Sequence, residues 1–405
     1  MKTYGVFGLG KSGRATVNYL QKHGDVALAW DDNEAARAGI KCTPVEEWDW
    51  DKIEALVLSP GIPLTHPKPH PVVELTHKAG KKIICDIELL FLDNSEATFI
   101  GITGTNGKST TTALIGHILR ENGFDVAIGG NLGTPALTLG VHGFYVLEMS
   151  SYQLDLIDKT SFDVAVWINI SPDHIDRHGN IEGYVKAKKN IFKNGAKTII
   201  IGRDDDYSKK VLEEFKGAIA ISKYDKTGYF PLLPGLHNQQ NISTAYQAAK
   251  AVGIAHKNII RAIGSFPGLA HRIENVAEIS GVKYINDSKA TNADSTSNAL
   301  AAFAGNIRWI IGGVPKEGGI TSLADYFPRI AKAYIIGQAT EEFAATLEGK
   351  VPYEKCGDMA GAVKKAAGDA KSGDVVLLSP ACASFDQFKN FEERGAFFKK
   401  LVLEL

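Results

Sequence analysis

Gly104-Thr105-Asn106-Gly107-Lys108-Ser109 stands between an apolar run, Thr98 to Ile102, and an amphipathic stretch, Thr110 to Asn122. A strand that turns through glycines into a helix gathers backbone N–H groups at one point, and residues without a Cβ let an anion approach them. Lys108 can then neutralise β- and γ-phosphate charge, while the Ser109 hydroxyl, with Thr110 beside it, reaches a phosphate-bound Mg²⁺. The run departs from the consensus Gly-x-x-x-x-Gly-Lys-Ser/Thr, because Ile102 holds the leading position and the nearer glycine is Gly104. An ordinary glycine turn is the bland alternative. The flanking strand and the Lys-Ser-Thr run favour a phosphate loop in an α/β fold.

A second glycine turn competes for the assignment. Gly8-Leu9-Gly10-Lys11-Ser12-Gly13 follows the apolar run Tyr4 to Phe7 and opens a helix, Ala15 to Lys22, with Asp31 and Asp32 placed onward as in a dinucleotide fold. Alone, it predicts an NAD-dependent oxidoreductase. Such an enzyme does not need a second phosphate loop with Lys-Ser-Thr, whereas two loops imply two phosphorylated ligands. An ATP-coupled enzyme acting on a nucleotide-linked substrate explains both. A nucleotide sensor without chemistry is the third alternative, and the carboxylates and cations described below count against it.

Short apolar runs alternate with amphipathic stretches along the 405 residues, 44% hydrophobic and 22% charged, which predicts parallel sheets flanked by helices. Further strands are expected at Val26 to Trp30 and Ala55 to Leu58, then at Tyr145 to Leu147, Val164 to Ile170 and Thr198 to Ile201, with helices at Tyr184 to Phe192 and Asn241 to Val252. A third group follows at Lys283 to Ile285, Trp309 to Ile311, Ala333 to Ile336 and Val375 to Leu378. The polar stretch Asp93-Asn94-Ser95-Glu96 and the segment Ser265-Phe266-Pro267-Gly268 punctuate the chain, so three α/β domains are expected, 1–94, 95–267 and 268–405. The Pro/His-rich loop Pro60 to Pro71 is a candidate binding loop. A net charge of -1 gives no global field for nucleic acid or an anionic membrane, and the four cysteines have neither disulfide-framework nor zinc spacing. With no leader-like apolar region and no run near the ~20 apolar residues of a membrane span, a soluble cytoplasmic protein is expected.

Four segments occur in the order Gly104 to Thr111, Leu147-Glu148-Met149-Ser150-Ser151-Tyr152-Gln153-Leu154, Ser171-Pro172-Asp173-His174-Ile175-Asp176-Arg177-His178 and Gly235-Leu236-His237-Asn238-Gln239-Gln240-Asn241. They resemble the central domain of the Mur ligases and folylpolyglutamate synthases. Within that superfamily His271-Arg272, Asn286-Asp287-Ser288-Lys289-Ala290-Thr291-Asn292 and Ser379-Pro380-Ala381-Cys382-Ala383-Ser384-Phe385-Asp386 resemble the D-glutamate-adding members more than the L-alanine-adding ones. The resemblance covers all three domains and implies a Rossmann-like N-terminal domain for a UDP-linked substrate, a central P-loop domain for ATP, and a Rossmann-like C-terminal domain for the amino acid. It departs at Gly312-Gly313-Val314-Pro315-Lys316, which continues with Glu317-Gly318-Gly319 where the family has Gly or Ser and then an acid.

The implied reaction joins D-glutamate to UDP-N-acetylmuramoyl-L-alanine in peptidoglycan synthesis, through a carboxylate activated by ATP as an acyl phosphate. Anionic phosphates meeting an anionic carboxylate demand cations, here Lys108, Arg272, Lys289 and Mg²⁺. Glu148 follows an apolar strand and His174 follows another; strand-end residues are often merely solvated, but the resemblance implies that both ligate Mg²⁺. It also implies that Lys188, on composition only a solvated helix lysine beside Lys186 and Lys189, carries a CO₂-derived carbamate for a second Mg²⁺. Adenine contacts fall to Asn238 and Asn241, a ribose contact to Asp287, and γ-phosphate contacts to Arg272 and Lys289. For the UDP-sugar the resemblance implies Lys11, Ser12, Asp31 and Asn131. For D-glutamate it implies Ser384, the backbone near Phe391, Thr291 and Lys316. A monomer with small-molecule partners is expected.

Overall fold

The computed structural model describes residues 1–405 apart from Lys226, Tyr229, Pro231, Leu232, Pro234 and Glu317. Glu317 of the Gly-Gly loop and the side chain of His237 therefore lie outside the described residues. The chain forms two compact units, Met1–Phe230 with Leu236–Phe266, and the chain from Pro267 to Leu405.

The first unit carries two sheets. β1 (Thr3–Phe7), β2 (Val26–Trp30), β3 (Ile53–Leu58) and β4 (Lys82–Ile84) form a sheet in the order β2-β1-β3-β4. β5 (Thr98–Thr103), β6 (Val126–Gly130), β7 (Phe144–Glu148), β8 (Phe162–Trp167), β9 (Ala196–Gly202) and β10 (Ile219–Ile221) form the other, in the order β10-β9-β8-β5-β7-β6. Every pairing in both is parallel. Such strands are covered on both faces, so they read as unbroken apolar runs, as in Phe99 to Ile102, where every residue is buried. Residues of both sheets, among them Leu56, Val57, Phe99, Leu147 and Trp167, share one continuous core.

β5 lies between β8 and β7, so the chain first fills one side of β5 and then crosses to the other. In open α/β sheets ligands bind beyond the strand ends at such a divergence. The phosphate-loop sequence sits at that end of β5.

The second unit contains β11 (Glu274–Ile279), β12 (Val282–Asn286), β13 (Ile307–Gly312), β14 (Ile330–Ile336), β15 (Tyr353–Gly357) and β16 (Val375–Leu378), ordered β11-β12-β16-β13-β14-β15. Trp309, Ile311 and Ile335 pack into one core while Ile310, Tyr334 and Ile336 pack into another, as the alternation of side chains across a strand requires. The fully buried Trp167 and Trp309 pair their indole N–H groups with Ser208 Oγ and the Ser379 carbonyl, each at 2.8 Å. Each ring contributes about 3 kcal/mol by burial only because that donor is satisfied.

Three expectations need correction. β11 is antiparallel to β12, tied to it across the turn at Ser280 and Gly281, so the third sheet is mixed. The strand expected at Val164 to Ile170 ends at Trp167, which leaves His174 in a loop rather than at the strand end. The helices expected from Ala15 and Thr110 start at Lys11 and Lys108, placing both glycine turns directly against helix N-termini. No helix among the described residues is long and apolar enough to cross a membrane.

Candidate active site

At the end of β5, Gly104 (φ 152°) and Gly107 (φ 85°) adopt backbone conformations that L side chains rarely take. A Cβ on Gly107 would also lie 2.3 Å from Asn241 Oδ1. The helix Lys108–Glu121 begins without a side-chain cap and without an acidic residue in its first turn, so its N-terminal end retains its attraction for an anion. The loop is held from behind. Thr105 N donates to the Asn169 carbonyl (2.8 Å), Asn106 N to Asn169 Oδ1 (2.9 Å), and Lys108 Nζ curls back to the Thr105 carbonyl (2.8 Å). Thr111 Oγ1 donates to Asn241 Oδ1 (3.2 Å) and Asn241 Nδ2 to Asn238 Oδ1 (3.0 Å), so both asparagines expected to meet adenine abut the loop's helix. Ser109 and Thr110 are buried in its first turn.

Glu148 is the last residue of β7 and is buried; Oε1 accepts from Asn131 Nδ2 (3.2 Å), whereas the buried Oε2 has no hydrogen-bond partner. Leaving such an acceptor unsatisfied costs about 1–3 kcal/mol. A hard cation is the kind of ligand that a bare carboxylate oxygen suits. Lys188 is 2% exposed, with Nζ 3.2 Å from Thr103 Oγ1 and over the Tyr184 ring at 4.8 Å. Lys186 is exposed and Lys189 pairs with Glu214, so the helix Ile181–Lys189 turns only Lys188 of the three inward. Burial, then the neighbouring Lys108, holds the Lys188 amine well below the usual lysine pKa. Burial likewise lowers His174, which sits at φ 53° as the N-cap of the helix Ile175–His178. No group of three or more His, Cys, Asp or Glu side chains suited to a metal exists among the described residues.

Sequence reasoning missed the residues that hold this site. His178 is buried, with Nε2 2.9 Å from Ser151 Oγ and Nδ1 3.6 Å from Asp155 Oδ2. The order imitates a hydrolytic triad, but Ser151 is 2% exposed and out of reach of a substrate. Burial pushes His178 down to about 4, so the ring is neutral at pH 7 and ties the His174 segment to the turn after Glu148. Arg177 donates to the carbonyls of Pro60 (3.3 Å), Gly61 (3.2 Å) and Ile62 (2.9 Å), fastening the Pro/His loop to the same segment. Both lie in the Asp173 to His178 motif, but nothing in its composition separates ligand from anchor.

At the first glycine turn, Gly8 has φ 90° and a Cβ on Gly13 would lie 1.8 Å from the Gly8 carbonyl. Asp31 accepts from Leu9 N (2.5 Å) and Asn33 N (2.8 Å), so it fixes the turn itself. Lys11 and Ser12 open the helix Lys11–Lys22. Asn131, on the far side of the substrate expectation, is hydrogen-bonded to Glu148 as described.

In the second unit Asp287 is fully buried, accepting from Ser379 Oγ (2.7 Å) and Ile273 N (3.2 Å); burial raises its pKa to about 7. Arg272 acts on it electrostatically and has a buried Nε without a partner. Lys289 Nζ lies 5.5 Å over the Phe391 ring, and Thr291 N donates to the Lys289 carbonyl (2.9 Å). Ser384 is buried, Lys316 exposed, and the two loops meet at the Val314–Ala383 bridge. The buried Arg394, also unforeseen, donates to Ser288 Oγ (3.0 Å), the Ser288 carbonyl (2.8 Å) and the Cys382 carbonyl (3.0 Å), joining the two motifs expected to bind nucleotide and amino acid.

Comparisons with known proteins agree with this arrangement. Residues 102–304 match the Mur ligase middle domain, and residues 271–382 match the Mur ligase, glutamate ligase domain. The UDP-N-acetylmuramoylalanine--D-glutamate ligase of Brucella abortus is 45% identical over 449 aligned positions, covering 100% of this chain and 96% of the relative. That of Rhodospirillum rubrum is 46% identical over 450, covering 99% and 94%. Among solved structures, the UDP-N-acetylmuramate-alanine ligase of Thermotoga maritima has a TM-score of 0.64 at 16% identity, covering 100% of this chain and 99% of its own. The MurF ligase of the same organism, solved with ADP, has a TM-score of 0.61 at 19% identity, covering 87% and 90%. These two share the fold, and the full-length likeness to the D-glutamate ligases goes further: the chain belongs to the Mur ligase family.

Proposed function

We propose that the chain joins D-glutamate to UDP-N-acetylmuramoyl-L-alanine with cleavage of ATP to ADP and phosphate, in the cytoplasmic synthesis of peptidoglycan precursors. The observation that carries the reading is the coexistence in one unit of two glycine turns, each ending at a helix N-terminus, with the half-satisfied Glu148 at the end of β7. The three-domain layout, 1–94 for the UDP-sugar, 95–267 for ATP and 268–405 for the amino acid, follows the same reading.

In this mechanism the turn Gly8 to Gly13, with Lys11, Ser12 and Asp31, holds uridine diphosphate, and Asn131 meets the substrate near Glu148. The phosphate loop, Gly104 to Thr110, orients ATP, whose base lies against Asn238 and Asn241. Lys108, Arg272 and Lys289 spread cationic charge over the γ-phosphoryl group as the substrate carboxylate attacks it, and Asp287 contacts the ribose. Mg²⁺, held by Ser109, Glu148 and His174, would screen the anions from one another when bound. Lys188, as a carbamate, would hold a second ion. A desolvated, neutral amine is the form that adds to CO₂, its nitrogen bonding to carbon with release of a proton. Ser384, the Phe391 backbone, Thr291 and Lys316 take the two carboxylates of D-glutamate, leaving its amine to attack the acyl phosphate.

The test is phosphate release with product mass. ADP and phosphate should appear only when UDP-N-acetylmuramoyl-L-alanine and D-glutamate are both present. Equal turnover of L-alanine on UDP-N-acetylmuramic acid would overturn the substrate assignment.

A further inference from the structure

Asp86 is the first residue of the helix Asp86–Asp93, which leads from β4 towards β5, and its side chain is 4% exposed. It lines a shallow crevice with Ser12, Gly13, Thr16, Ser59 and Pro60, which includes residues of the first glycine turn. On its other side stands Gln153. The Gln153 amide and the Ser12 hydroxyl both act on the Asp86 carboxylate, favouring the charged form against the larger, opposing effect of burial. The preceding residue, Cys85, donates its thiol to the Gln153 carbonyl (3.5 Å), so two successive residues engage Gln153. Asp86 Oδ1 accepts from Ile87 N (3.0 Å), which fixes the carboxylate's rotamer.

Gln153 is itself locked. Its Oε1 accepts from Ser150 N (3.1 Å) and Ser150 Oγ (2.9 Å), while Ser150 Oγ accepts from Gln153 N (3.2 Å). Ser150 stands two residues beyond Glu148. On the nucleotide side Thr16 Oγ1 donates to the Ser12 carbonyl (2.9 Å). Asp86 thus borders the same crevice as Ser12 at the first turn, while its neighbour Cys85 ties the start of this helix to Gln153 and so to Ser150, beyond the strand end of the second sheet.

We propose that Asp86 is a positioning residue that sets the distance between the uridine-diphosphate turn and the Glu148 strand end, the two places that grip opposite ends of one UDP-linked substrate. This rests on the reading of Gly8 to Gly13 as a UDP site. One rigid ruler suits a substrate whose nucleotide is bound at Ser12 and whose reacting carboxylate must sit at Glu148, since misplacement of about 1 Å at the reacting end costs about a hundredfold in rate. Burying a carboxylate between two neutral polar partners is costly as mere packing, and an amide or an apolar residue would fill the space at lower cost.

The experiment uses the full chain with Asp86→Asn, Gln153→Ala and the double variant, measuring UDP binding by calorimetry, KM for UDP-N-acetylmuramoyl-L-alanine and for ATP, kcat, and thermal unfolding. Asp86→Asn should stay folded, raise KM for the UDP-substrate about tenfold and lower kcat, with KM for ATP unchanged. Gln153→Ala, although remote from the nucleotide, should weaken UDP binding, and the double variant should be no worse than the weaker single one. Unchanged UDP binding in both single variants, additive losses, or equal losses for ATP and the UDP-substrate would each overturn the ruler. Absence of UDP binding by the unmodified chain would instead overturn the nucleotide reading, and the ruler with it.

Discussion

Replacing Glu88 by Gln should loosen the seam between the first two sheets, and the size of the effect follows from four hydrogen bonds. Glu88 is 1% exposed; its Oε2 accepts from Asp158 N (2.9 Å), Thr160 N (3.1 Å) and Thr160 Oγ1 (2.6 Å), and its Oε1 from Lys159 N (2.7 Å). A glutamine has one acceptor oxygen. If it serves the three donors, its amide NH₂ faces the Lys159 N–H, donor against donor, at a cost of about 1–3 kcal/mol. The remaining three bonds lose their charge assistance, which roughly halves each. Relief from burying a charge offsets part of this, leaving about 2–4 kcal/mol of lost stability. For a unit of this size that is a fall of about 4–8 °C in Tm. Thermal unfolding by circular dichroism would read the shift, and hydrogen exchange would show the Lys159 and Thr160 amides losing protection first. A Tm within about 1 °C of the parent, with those amides still protected, would refute the assignment of Glu88 as the clasp.

Lys188→Ala should remain folded yet lose nearly all ligase activity, with partial recovery on adding short carboxylic acids; full activity, or an unmodified Lys188 by intact mass in a metal-loaded active enzyme, would remove the carbamate from the mechanism. Lys186→Ala should be mild by comparison, since that side chain is exposed. Gly13→Ala drives a Cβ to 1.8 Å from a backbone carbonyl, so it should cost about 3 kcal/mol and abolish UDP binding; parental Tm and affinity would contradict the close approach. Asp287 ionises at about 7 in the folded chain and at about 3.9 when unfolded. The folded state binds the extra proton between those values, so this group makes stability fall as pH rises from about 4 to about 7, and Asp287→Asn should flatten that slope in hydrogen exchange of residues 267–405. An unchanged slope in the variant would refute it.

The sheets were legible because both-face burial writes strands as apolar runs: Val26–Trp30 and Val375–Leu378 match the expected bounds, and most others differ by a few residues. β4, β6, β10, β11 and β15 escaped notice: all five lie at sheet edges, where β4 and β10 run for only three residues and β11 and β15 interleave charged with apolar residues. The two phosphate-type turns were legible for a different reason, since glycine at φ 85° or 90° has few substitutes. Lys188 was not readable from composition. Its burial comes from helix register against Thr103 and Tyr184, a long-range fact that no local pattern encodes. Asp86, Glu88, Arg177 and Arg394 were missed alike, because a buried charge with several partners and a solvated one look the same in a string of letters.

Glu148 Oε2 and the Lys188 amine are both removed from water, one lacking a hydrogen-bond partner and the other made less basic by that removal. A chain without its ligands therefore carries an unrelieved cost in the middle of its larger unit, and ligands that complete those groups must raise the unfolding free energy by linkage. At a ligand concentration a hundred times Kd the gain is about 2.7 kcal/mol. Opening of the sheet around β7, and cleavage by proteases that attack opened chains, should then be most frequent when precursors run short. The lifetime of this protein would follow the supply of its own substrates, with no regulatory domain required.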